Sequence, residues 1–98
     1  GLRASADGPV IRIPVPKLSD ERRKELSRHV KVLAEQGRTA IRNIRRSGND
    51  ELHKARKNSD ITEDQEYRGL GEIQEAADEA IAEIDRYLES KENEILEV

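Results

Sequence analysis

Between Leu26 and Ala55, apolar and small residues fall at Leu26, Val30, Leu33, Gly37, Ile41, Ile44, Gly48, Leu52 and Ala55. The spacing averages about 3.6 residues, the signature of one face of an α-helix. Ser19 supplies an N-cap, Asp20 and Glu21 sit at the positive end of the helix dipole, and Arg56 and Lys57 at its negative end. The pattern predicts a single helix over about 20–57, roughly 57 Å long at 1.5 Å per residue. A second stripe runs Leu70, Ile73, Ala77, Ile81, Ile84, Leu88 and Ile95. Thr62-Glu63-Asp64-Gln65 matches a capping box, so this helix is predicted over about 63–97. Only a few residues join the two, which forces them antiparallel.

Two helices cover only part of two such stripes, and the hydrophobic pattern implies a third helix that this sequence does not contain. Gly37 and Gly48 lie on the first stripe, where a missing Cβ lets a neighbour approach. Gly69 and Gly71 flank Leu70 near the start of the second helix and predict fraying there. Ahead of both helices, Val10-Ile11-Arg12-Ile13 alternates like a strand, and Pro14 and Pro16 turn it into a stiff connector. The sheet to which such a strand belongs is absent. The expected architecture is all-α: a long antiparallel hairpin, two helices of a three-helix bundle over 17–98. Residues 1–16 are the extended remnant of a small β-rich domain.

Composition narrows the chemistry. Charged residues make up 40% of the 98 positions and aromatics 2%, so helix faces rather than a deep core must organise the chain. With no cysteine there is no disulfide frame and no thiolate metal site. No apolar run approaches the roughly 20 residues that cross a bilayer, and the sequence reads as a soluble, intracellular protein. His29 and His53 are too far apart on one helix to share a ligand, and the carboxylates of the second helix are spaced as a solvated face. Nothing here resembles a catalytic constellation.

The charge distribution says more. Residues 20–57 hold 12 Lys/Arg against 6 Asp/Glu, and residues 61–98 hold 3 against 13. With Gly37 set at zero on a helical wheel, Arg45 falls at about 80°, Arg38 at about 100° and Lys31 at about 120°. Lys24 and Arg42 follow at about 140°, then Arg28 and Arg46 at about 180°. Such a ridge suits the phosphate backbone of folded RNA, with arginine as the bidentate ligand. The competing interpretation is a solvated face that pairs with its acidic neighbour. Ala40-Ile41-Arg42-Asn43-Ile44-Arg45-Arg46 carries three arginines within two turns, which favours RNA.

Several blocks also fit a family pattern. Ile11-Arg12-Ile13-Pro14-Val15-Pro16 followed by Leu18 to Leu26 resembles the passage of ribosome recycling factors from their small domain into the long bundle. Ala40–Arg46 looks like that family's arginine-rich segment, Ile61-Thr62-Glu63-Asp64 resembles its interhelical turn, and Lys91–Val98 is similar to its C-terminus. The blocks occur in order and span essentially the whole chain.

The resemblance implies an L-shaped protein of tRNA-like dimensions that needs no cofactor. With elongation factor G and GTP hydrolysis, such a protein splits post-termination ribosomes. The implied large-subunit rRNA contacts are Arg42, Arg45 and Arg46, with Arg38 as a further match. The implied hinge is Ile11, Arg12, Ile13, Pro14, Val15 and Pro16. The implied location is the bacterial cytoplasm, or a plastid or mitochondrion. Two departures stand out: the family's first helix and most of its small domain are missing, and Gly48 replaces a usual Ala. The rival reading is a helical-hairpin module whose apolar stripe pairs with a partner helix or a second copy, without RNA.

Overall fold

A computed structural model describes residues 19–97. The strand and hinge expected within residues 1–16 therefore lie outside the described residues. Two helices account for nearly all of the rest: α1, Asp20–Lys57, and α2, Glu63–Glu97. They pack against each other as an antiparallel hairpin, as the two stripes predict.

The ends of the helices follow from local chemistry. Ser19 adopts an extended backbone, and its Oγ accepts from the Arg22 amide at 3.1 Å. At the other end of α1 the Ser59 amide donates to the Arg56 carbonyl and the Asp60 amide to the Ala55 carbonyl. That pair of bonds is a Schellman motif, with Ser59 in the left-handed region at φ 64°. The capping box forms in both directions: the Thr62 amide donates to Gln65 Oε1 at 2.8 Å, and the Gln65 amide to Thr62 Oγ1 at 3.1 Å.

Glycines set the register. A Cβ on Gly37 would come within 3.0 Å of Ile84 Cδ1, and a Cβ on Gly48 within 3.0 Å of Ile73 Cδ1. Both seats lie eleven residues apart on their own helix, three turns, so the same faces stay in contact along the hairpin. Gly69 is a third seat, for Leu52. Fraying at Gly69 and Gly71 was the expectation from their propensity, but α2 runs through both without a break. Packing of Leu52 against Gly69 offsets the weak propensity there.

Polar groups tie the hairpin at both ends. α2 has no basic residue in its last turn, and Arg23 of α1 fills that role, donating to the Ile95 and Leu96 carbonyls at 3.0 and 2.9 Å. Near the turn, Glu66 is buried between Arg56 Nε at 2.8 Å and His53 Nδ1 at 2.5 Å.

The apolar core is thin. Among the described residues only Ala34 and Ala77 are buried hydrophobics, while Leu33 and Ile44 remain 51% and 71% exposed. On the wheel, Leu33 and Ile44 lie on one flank of the α1 stripe, and Ala34 and Leu52 on the other. α2 therefore covers one flank and leaves the second open.

Candidate nucleic-acid interface

The four arginines singled out by sequence do not share one environment. Arg38 is the most committed, with a side chain only 20% exposed. Its Nε and Nη2 reach Asp85 Oδ1 on α2 at 3.0 and 2.6 Å, and its Nη1 reaches Glu35 Oε1 at 3.0 Å. Its hydrogen bonds to Asp85 and Glu35 raise its pKa above the ordinary guanidinium value. The hydrogen bonds from Arg38 and then Arg42 hold Glu35 below the ordinary glutamate value.

Arg42 takes the other oxygen of Glu35 through Nη1 at 3.3 Å, and its side chain is 43% exposed. Arg46 is exposed and bonded only to a neutral amide, Asn43 Oδ1, at 3.1 Å. Arg45 is half-buried and makes no hydrogen bond or ion pair among the described residues. Its chain lines an apolar groove of about 360 Å³ with Ile41, Ile44, Gly48, Ile73 and Ala77.

The ridge is thus divided by the acids of α2. Asp85 engages Arg38 and Glu92 engages Lys31 at 3.4 Å. Arg42, Arg45 and Arg46 form a run of guanidinium groups that no described carboxylate of α2 touches. Three such forks on one helix can grip successive phosphates, because each presents parallel N–H donors. Among the described residues no cluster of His, Cys, Asp or Glu is arranged to hold a metal ion, and no helix is long and apolar enough to cross a membrane.

Sequence reasoning missed two polar sites. The clamp of His53 and Arg56 on Glu66 depends on the register across the turn, although the Thr62–Gln65 cap fixes where that register begins. The Asn49 Oδ1 is closed off from solvent and accepts no hydrogen bond among the described residues.

The family model described as "Ribosome recycling factor" matches residues 1–96. The chain belongs to the ribosome recycling factor family. It is 56% identical over 98 residues to the ribosome-recycling factor of Halothermothrix orenii, covering 100% of this chain and 53% of that protein. With the ribosome-recycling factor of Staphylococcus saprophyticus the identity is 49%, and with that of Bacillus subtilis 47%, over the same shares of each chain. The chain spans about half the length of these ribosome recycling factor relatives.

Proposed function

We propose that this chain is the rRNA-gripping half of a ribosome recycling factor that, when complete, acts with elongation factor G to split post-termination ribosomes. It does so as a non-enzymatic factor in the bacterial cytoplasm. The observation that carries the reading is the run of Arg42, Arg45 and Arg46, clear of the described carboxylates of α2, on a ridge where Arg38 and Lys31 are paired to α2. Arg38 contributes at the edge of this face, mainly by holding Glu35 and Asp85. Residues 11–16 would form one strand of the hinge to the small domain. The open apolar groove between α1 and α2 is the seat of the bundle's remaining helix, because Leu33 and Ile44 stay exposed without it.

Binding to the large ribosomal subunit, measured over a salt series with the complete bundle, tests this. Arg45→Ala should weaken binding by about 1–3 kcal/mol and lower the salt slope by about one unit. Arg45→Lys should recover only part, since the bidentate fork is lost. Arg86→Ala on the acidic helix should leave binding unchanged. If affinity and slope survive Arg45→Ala and collapse with Arg86→Ala, the RNA lies on the other face.

A further inference from the structure

Asn49 stands one turn after Arg45 on α1, the spacing at which helical side chains meet. Side chains of a helix lean toward its N-terminus, so Asn49 leans over the turn that carries Arg45. One residue has a buried acceptor without a donor, and the other a five-donor guanidinium without an acceptor. An orphaned buried oxygen is costly, and native folds keep few of them. Among the described residues Arg45 has no polar anchor, and it lines the apolar groove proposed as the seat of a further helix. An open acceptor then waits four residues along.

We propose that Asn49 is a positioning residue for RNA binding: its Oδ1 accepts one N–H of Arg45 and turns the remaining fork toward phosphate. This deepens the reading of the arginine face as an rRNA interface and rests on it. A guanidinium has five N–H groups, so one bond to Asn49 leaves a parallel pair for a phosphate. Fixing the head before contact lowers the entropy lost on binding. Arg42 and Arg46 already have such tethers, on Glu35 and Asn43. Asn49 gives Arg45 an equivalent one, neutral like the Asn43 tether of Arg46, so it does not compete with phosphate.

The test is a double-mutant cycle on the full-length protein, reading large-subunit affinity and melting temperature for Arg45→Ala, Asn49→Ala and the pair. Asn49→Ala should weaken binding roughly three- to tenfold, the size of one ordinary net hydrogen bond. That loss should vanish in the Arg45→Ala background. The melting temperature should change little, since the lost bond to Arg45 is offset by the better helix propensity of Ala. A purely structural Asn49 behaves otherwise: the same loss in both backgrounds, or a loss that follows a lowered melting temperature, overturns the proposal. So does Asn49→Ala binding like the parent while Arg45→Ala is weak, an outcome that leaves the interface reading intact. Parent-like binding by Arg45→Ala instead removes the interface reading, and the role of Asn49 with it.

Discussion

Gly69 and Gly71 form a matched pair on α2, alike in helix propensity and different in what lies beside them. A Cβ at Gly71 has nothing within 4 Å, whereas one at Gly69 would lie 2.8, 3.2 and 3.6 Å from Leu52 Cδ1, Cδ2 and Cγ. Gly71→Ala should therefore realise the full propensity gain, about 1 kcal/mol. Gly69→Ala gains the same amount but strikes Cγ and both methyls of Leu52, so the side chain must swing away as a unit. The whole side chain must withdraw, an overpacking cost of about 1–3 kcal/mol. The net change at Gly69 should range from about zero to 2 kcal/mol destabilising, and the gap between the variants should equal the packing cost. Urea unfolding of the complete protein, followed by circular dichroism, measures both. Equal stabilisation by the two substitutions would mean that Leu52 does not sit on Gly69 and that the register described above is wrong. A Gly69→Ala, Leu52→Ala double variant sharpens the test, because removing the obstruction should restore the propensity gain at position 69.

Ser59→Gly should stabilise the hairpin by about 0.5–1 kcal/mol in thermal denaturation, because the left-handed backbone at φ 64° suits a residue without Cβ. Acid should loosen the arginine face: the Glu35 pKa is lowered, so its pairing stabilises fully at neutral pH and is lost as pH falls through that lowered value. Carboxyl NMR should place the Glu35 midpoint below the ordinary glutamate value, and Arg38→Gln should move it back up. The isolated 98-residue chain should be partly helical without a sharp monomeric melting transition, since its buried hydrophobics are alanines. Sedimentation with circular dichroism checks this, and a cooperative transition from a proven monomer would contradict it.

The helix limits were legible because caps are local. Ser19 and the Thr62–Gln65 box each act within three residues, so the sequence signal and the hydrogen bond are the same event. The stripes were legible for a similar reason, since period 3.6 needs no knowledge of the partner. What lay beyond reach depends on register. Gly69 reads as a weak point until Leu52 is found opposite it, and Glu66 reads as one more acid of a solvated helix until His53 and Arg56 close on it. Arg38 has the same history: a wheel places it on the basic ridge but cannot show Asp85 opposite. The ion-pairing interpretation of that ridge thus holds at Arg38 and Lys31, which α2 faces, while the guanidinium groups of Arg42, Arg45 and Arg46 stay clear of the described carboxylates of α2.

That division orders the arginines. Exposed ion pairs are worth about 0–1 kcal/mol and are screened by salt, so the single contact of Arg42 to Glu35 is easily exchanged for a phosphate. Arg46 gives up only a bond to Asn43, a smaller sacrifice still. Arg38 would have to leave three hydrogen bonds to two carboxylates, in a side chain mostly covered. Leaving would also strip Asp85 and Glu35 of their counter-charge beside an approaching phosphate, adding like-charge repulsion. On the proposed rRNA reading, Arg38 would serve best by staying: it would neutralise two carboxylates that otherwise repel phosphates at Arg42, Arg45 and Arg46. By pairing with Arg38 and Lys31, Asp85 and Glu92 would narrow the proposed contact to a shorter face than a helix of uniform positive charge could provide.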